Sequence, residues 1–70
     1  MLDVKTGKVL FIEGRLSEAA EHFYECAREG DAEGAFNYAF CLQFGYGVKA
    51  DISKAVSYYK FAAGILGEAN

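Results

Sequence analysis

The 70-residue chain has no proline, no tryptophan, one histidine and two cysteines. Without proline, no residue breaks a helix from inside. A single histidine leaves little for a Ser–His–Asp or Cys–His catalytic arrangement or for a metal site, so we expect no enzyme activity and no cofactor. Positive charge is also scarce, because seven scattered Lys and Arg stand against ten Asp and Glu, for a net charge of −3. Nucleic-acid binding needs clustered basic residues, so we expect no nucleic-acid partner.

The sequence also lacks a long apolar run. Residues 1–11 place charges between short apolar stretches, unlike a secretory leader. The longest stretch without charge, residues 34–48, is interrupted by two amides and by glycines, so it is too short and too polar to span a bilayer. We therefore expect a cytoplasmic protein with no membrane partner.

What the chain has in abundance is apolar side chains. Hydrophobic residues make up 53% of the sequence and aromatic residues 16%. This is rich for a chain that can bury only a limited fraction of its surface. Either the core is strong for its length, or some apolar surface is kept for a partner.

The spacing of the apolar residues predicts an all-α fold of four helices, joined by short connections that make consecutive helices antiparallel. The predicted helices cover residues 2–13, 17–29, 32–44 and 52–65. Side chains that can cap a helix N-terminus stand at Ser17, Asp31 and Asp51. Glycines typical of helix C-terminal ends stand at Gly14, Gly30 and Gly45.

The two halves of the chain resemble each other. "GKVL" (7–10) aligns with "AFCL" (39–42) at an offset of 32 residues, and "AAEHFYECA" (19–27) aligns with "AVSYYKFAA" (55–63) at an offset of 36. The second half is therefore four residues longer between its helices. The extra residues fall in "GYGVKADI" (45–52), where two glycines let the chain leave one helix and fold back through a longer loop.

The longer loop and the helix after it carry most of a known repeat pattern. The residues that match it are Gly45, Gly47, Val48, Asp51, Lys54, Ala55, Tyr59, Ala62 and Ala63, with Tyr58 where the pattern has Trp. On these residues the second half resembles a Sel-one-like repeat, a longer-looped relative of the tetratricopeptide repeat. The helix before the loop departs from the pattern, because the family's Leu, Gly and Tyr are replaced by Tyr38, Ala39 and Leu42.

The first half resembles an ordinary tetratricopeptide repeat. The matching residues are Gly7, Gly14, Ala19, Phe23 and Ala27. The resemblance implies a single domain of two antiparallel helical hairpins forming a short α-solenoid. Its parts are a tetratricopeptide-like repeat at 1–30, a Sel-one-like repeat at 31–67 and the start of a possible further repeat at 68–70. Small residues expected where helices approach closely are Ala19, Ala39, Ala55, Ala62 and Ala63.

The third helix, "AFNYAFCLQF" (35–44), is apolar on all sides, so more than one of its faces should be buried. Ala35, Tyr38, Ala39 and Leu42 form the stripe that should pack inward. In the families that the chain resembles, the first helix of each repeat lines a groove that binds a protein or peptide. The partner-binding residues implied are Glu33, Phe36, Asn37, Phe40, Gln43 and Phe44, with Val4, Lys8, Phe11 and Ile12 on the first helix.

Two alternatives to a binding groove stay open. The aromatic residues of the third helix could simply close a small core, since two repeats have little core to satisfy. The chain could also be a structural unit that self-associates, or a fragment of a longer array, because repeats of this kind bury their faces by stacking. The apolar residues that such an interface would use are Ile52, Val56, Ile65 and Leu66 on the last helix.

Some patterns resemble a metal-binding or docking site but have simpler interpretations. His22 shares a helix face with Glu18 and Glu25, yet no second helix offers further ligands, so we expect a structural, partly exposed histidine. The acidic stripe of Glu18, Glu21, Glu25 and Glu29 is expected to be a solvated face, the alternative being a docking strip for a basic segment.

The remaining patterns are a lysine pair and the two cysteines. "KTGK" (5–8) lacks the leading glycine of a phosphate-binding loop and lies inside a predicted helix, so it is not a nucleotide site. Cys26 and Cys41 lie at different distances from the turn that joins their antiparallel helices. Their Cα atoms should be too far apart for a disulfide, so we expect two free thiols.

Overall fold

The computed structural model of the protein describes the backbone of residues 3–68 and the side chains of residues 3–64. Within that range the protein is all-α, as predicted, and contains no strand. The helices are α1 (Val4–Ile12), α2 (Leu16–Arg28), α3 (Ala32–Phe44) and α4 (Ile52–Glu68). The predicted α4 was too short, because Glu68 still belongs to the helix; residues 69–70 lie outside the described part.

Aspartate caps begin three of the four helices. The Oδ1 atoms of Asp31 and Asp51 each accept a backbone N–H at 3.0 Å, which confirms both predicted caps. Asp3 caps α1 in the same way, since its Oδ1 accepts from the N–H of Thr6 at 2.8 Å. The predicted cap at Ser17 is wrong. Ala19 N–H donates to the carbonyl of Arg15 at 2.9 Å, so α2 starts one residue earlier and Ser17 lies inside its first turn.

Glycines at helix ends turn the chain as predicted. Gly14, Gly30 and Gly45 have φ values of 82°, 87° and 74°, in the left-handed region that other residues rarely adopt. Gly45 closes α3 with an N–H bond to the Cys41 carbonyl at 2.8 Å. These turns reverse the chain sharply, so each helix packs antiparallel to the next.

Gly47 has a more demanding role in the loop between α3 and α4. Its φ is 73°, and a Cβ atom added to it would lie 2.1 Å from the carbonyl oxygen of Leu16 and 2.7 Å from the nitrogen of Ser17. The loop backbone therefore lies directly on the first turn of α2. Val48, beside it, packs against the core cluster that includes Ala19 and Phe23.

The two hairpins lie side by side in two layers. In one layer, α1 and α3 are neighbours, joined by an ion pair between Lys8 and Glu33. In the other layer, Ala27 of α2 meets Tyr58 and Ala62 of α4. The two hairpins contact each other through α2 and α3, which approach closely at Cys26 and Gly34. A Cβ atom on Gly34 would lie 2.5 Å from the Cβ of Cys26.

The core is built mostly from small side chains. Its fully or nearly fully buried apolar residues are Ala19, Ala20, Phe23, Cys26, Ala27, Ala35, Ala39, Cys41, Leu42, Ala55 and Ala62. Four of the five predicted small contact residues are therefore confirmed, whereas Ala63 is exposed. None of the helices described between residues 3 and 68 is long and apolar enough to cross a lipid bilayer. Continuation of this stacking into a superhelix stays a prediction.

Candidate partner-binding cleft

The two faces of α3 differ sharply in exposure. Ala35 and Ala39 are fully buried against the other helices. On the opposite side, Phe36, Phe40 and Phe44 are 52%, 38% and 53% exposed. The spacing of four residues places the three rings on one helix face. They do not close the core of the described chain, so α3 presents an aromatic face to its surroundings.

A cleft of about 230 Å³ separates α1 from α3 beside this aromatic face. We call it the α1–α3 cleft. Its residues on α1 are Lys8, Phe11 and Ile12, those on α3 are Asn37, Phe40 and Cys41, and Phe23 reaches it from α2. Phe23 and Cys41 are 3% and 1% exposed, so they form a rigid apolar floor.

Tyr46 lies beside the cleft, in contact with two of its lining residues, Phe11 and Phe40, and was not among the predicted site residues. Its ring centroid lies 5.5 Å from that of Phe11 and 5.7 Å from those of Phe40 and Phe44. Phe40 and Phe44 contact each other at 5.0 Å. Tyr46 therefore links the aromatic residues of α1 and α3 into one cluster. The signal in the sequence was an aromatic residue between the two loop glycines, but only the folded loop brings it to α1.

Asn37 is the polar group of the cleft with an unmet hydrogen-bonding requirement. Its Nδ2 atom is buried and has no hydrogen-bond partner among the described residues. A buried donor left unpaired costs roughly 1–3 kcal/mol, so an acceptor entering the cleft would remove that cost. Lys8 and Glu33 pair with each other at the rim, half exposed, which leaves the rim with little net charge.

The predicted site residues fall into two neighbouring groups. Lys8, Phe11, Asn37 and Phe40 line the α1–α3 cleft directly. Glu33 pairs with the lining residue Lys8, and the Phe44 ring contacts that of the lining residue Phe40.

The second group turns toward α4 instead. The Phe36 ring lies 5.3 Å from that of Tyr59, whose hydroxyl donates to Gln43 Oε1 at 2.7 Å. Phe36 and Gln43 therefore lie along the same surface as the cleft but outside it. Of the α1 residues, Val4 packs on the core cluster and Ile12 stands at the rim, 84% exposed.

The two cysteines are free and buried, as predicted. Burial raises the pKa of Cys41 to about 11, and burial followed by nearby carboxylates raises the pKa of Cys26. Both thiols are therefore protonated at neutral pH and are poor nucleophiles. Cys41 contributes to the cleft as an apolar floor residue.

His22 is half-buried and has a structural contact. Its Nε2 atom lies 2.8 Å from the carbonyl oxygen of Asp3, so it ties α2 to the start of α1 when that nitrogen carries the proton. Among the described side chains, no three His, Cys, Asp or Glu residues are placed to hold a metal ion. Within the acidic stripe, Glu18 and Glu25 pair with Arg15 and Arg28. These pairs reduce the net negative charge that a basic segment would meet there.

Comparison of the chain with protein-family models, with curated proteins and with solved structures found no significant match.

Proposed function

We propose that the protein is a non-enzymatic interaction module, an adaptor or scaffold that holds a segment of a partner protein in the α1–α3 cleft. The observation that carries the proposal is the surface around that cleft. Phe36, Phe40 and Phe44 are about half exposed, although burying the rest of each ring would contribute roughly 1 kcal/mol. Exposed aromatic residues beside a rigid apolar floor are typical of interface anchors.

The size of the cleft favours a side chain as the occupant. Pockets for small-molecule ligands usually measure roughly 300–1,000 Å³, whereas this cleft measures about 230 Å³. A single large apolar side chain of a peptide fills such a space. The exposed rings of Phe40 and Phe44 then cover the residues on either side of that anchor.

The polar groups suggest what accompanies the apolar anchor. Asn37 Nδ2 is a buried donor without a partner among the described residues, so it favours an acceptor such as a peptide carbonyl oxygen. The Lys8–Glu33 pair neutralises the rim. Binding should therefore depend on apolar burial and change little with salt, unlike binding between oppositely charged surfaces.

The proposal includes a relationship to Sel-one-like and tetratricopeptide-like repeats acting in the cytoplasm. Its support is the sequence pattern together with the loop that follows α3. Gly45 and Gly47 both have the left-handed backbone that explains glycine at these positions. Asp51 caps the next helix, as an aspartate at that position of the pattern would. The chemistry of the cleft argues for a binding module independently of this relationship.

The test is capture of partners from a lysate with three immobilised chains. These are the wild type, Phe40→Glu in the cleft, and Ser57→Glu on α4, outside the cleft, as a matched control. Phe40 and Ser57 are both exposed, and both substitutions add the same negative side chain to a helix. Circular dichroism establishes that all three chains are folded.

We expect a partner that binds the wild type and Ser57→Glu but not Phe40→Glu, because a charge in the aromatic cluster would be desolvated by the bound segment. The captured partner is then titrated at two salt concentrations. Loss of the partner from both variants, or its retention by both, removes the cleft from consideration. Capture of nothing beyond the chain itself argues for the structural alternative.

A further inference from the structure

The internal repeat allows each helix of the first hairpin to be compared with its counterpart in the second. An offset of 36 residues relates α2 to α4, so Ala20 corresponds to Val56 and Ala27 to Ala63. An offset of 32 residues relates α1 to α3, so Val9 corresponds to Cys41. The contact between α2 and α3 is therefore a template for a contact between α4 and a helix like α1.

The outer face of α4 is the counterpart of a buried face. Ala20 and Ala27 are 0% and 2% exposed, and each belongs to a buried cluster that includes a residue of α3. At the corresponding places on α4, Val56 is 45% exposed and Ala63 is exposed as well. Ile52, one turn before Val56 on the same face, is 60% exposed. The counterparts of two buried α2 residues are thus uncovered on α4, and Val56 is larger than the alanine it corresponds to. Ile65 and Leu66, which were predicted to extend this face, have side chains outside the described residues.

α1 exposes the surface that corresponds to the buried face of α3. Cys41 of α3 is 1% exposed and belongs to the core cluster with Ala19, Ala20 and Phe23 of α2. Its counterpart on α1, Val9, is 49% exposed. α1 therefore exposes the counterpart of the α3 surface that is buried against α2. α4 exposes the counterpart of the α2 surface that is buried against α3.

We propose that copies of this chain stack head to tail, with α1 of one copy packed on the outer face of α4 of the next, in the arrangement that α2 and α3 have within the chain. Val9 of one copy meets Val56 of its neighbour. Each exposed face carries the counterpart of a residue that belongs to the interface between α2 and α3, since Ala20 and Cys41 share one buried cluster. This proposal does not depend on the binding function of the cleft.

A head-to-tail contact uses two different surfaces, so stacks lengthen as concentration rises. The test is sedimentation equilibrium of the pure chain from micromolar to millimolar concentration. We expect the weight-average mass to increase from monomer to beyond twice the monomer. Ser57→Glu should behave like the wild type, because Ser57 follows Val56 but points about 100° away from it around α4, and its counterpart on α2, Glu21, is exposed.

Two single variants and their mixture test whether α1 of one copy contacts α4 of the next. Val9→Glu and Val56→Glu each place a charge on a half-exposed surface position within a helix, and each should remain monomeric alone. Each variant still has one intact end, so an equimolar mixture should form a heterodimer and nothing larger. Far-ultraviolet circular dichroism verifies that both variants keep the wild-type helicity.

Three results overturn the proposal. The first is a wild type that stays monomeric up to millimolar concentration. The second is association of either single variant as strong as that of the wild type; for Val9→Glu, this would mean that copies meet through α4 alone. The third is an equimolar mixture in which no heterodimer forms.

Discussion

Replacing Gly47 with alanine tests whether the loop after α3 is held against α2 by backbone contact. Two costs follow from the structure. A φ of 73° costs a residue with a Cβ atom about 1–2 kcal/mol. The new Cβ would also lie 2.1 Å from the Leu16 carbonyl oxygen, closer than Cβ atoms approach other atoms in proteins. The loop must therefore move away from α2.

Moving the loop separates Tyr46 and Val48 from the core cluster on which they pack. Partial exposure of these two side chains adds about 2 kcal/mol. The total, about 3–4 kcal/mol, is a large part of the roughly 3.5–10 kcal/mol expected for a 70-residue domain. We therefore expect Gly47→Ala to lose much of the free energy of unfolding.

The assay is urea denaturation followed by circular dichroism, with Gly14→Ala as the matched control. Gly14 has a φ of 82°, but a Cβ atom there would meet nothing within 4 Å. The control therefore isolates the backbone cost. With a slope of about 1 kcal/mol per molar urea, the midpoint should fall by roughly 1–2 M for Gly14→Ala. For Gly47→Ala, the midpoint should fall by roughly 3–4 M, or the chain should already be unfolded without urea. Equal losses in the two variants would refute the contact between the loop and α2.

Two further predictions concern stability. Gly64→Ala should raise the free energy of unfolding by about 0.5–1 kcal/mol in a urea melt, because Gly64 lies within α4 and an added Cβ meets nothing within 4 Å; a loss would mean that this site is crowded. Stability should fall from pH 9 to 11, because the Cys41 pKa is about 11 when folded against 9.0 ordinarily. The thiol thus ionises first in the unfolded chain, and the fall should be about 2 kcal/mol smaller in Cys41→Ala; identical pH profiles would contradict it.

The helices could be predicted from the sequence because their signals are local. Asp31 and Asp51 cap the helices that follow them directly, and Gly30 adopts the left-handed backbone that ends α2. The inward and outward faces of α3 also follow from helical spacing alone. Ala39 is buried and Phe40 exposed because neighbouring residues point in different directions around the helix.

The features that the sequence did not reveal depend on contacts between distant residues. The hydroxyl of Ser17 could cap a helix, but α2 starts before it. The carbonyl of Arg15 accepts the first helical hydrogen bond, from the N–H of Ala19. Tyr46 resembles an ordinary loop residue until the fold places it against Phe11. Ala63 matches a repeat pattern in which a following helix would cover it, and in the described chain no such helix does.

The four extra residues of the second hairpin connect its loop to the aromatic residues beside the α1–α3 cleft. They allow Gly47 to rest on the first turn of α2, and this contact fixes the loop residue before it, Tyr46. Tyr46 in turn stands between Phe11 of α1 and the exposed rings of α3. The loop therefore supports the aromatic cluster beside the α1–α3 cleft. Displacing it through Gly47 should separate Tyr46 from Phe11 while leaving Val56, on the outer face of α4, unchanged.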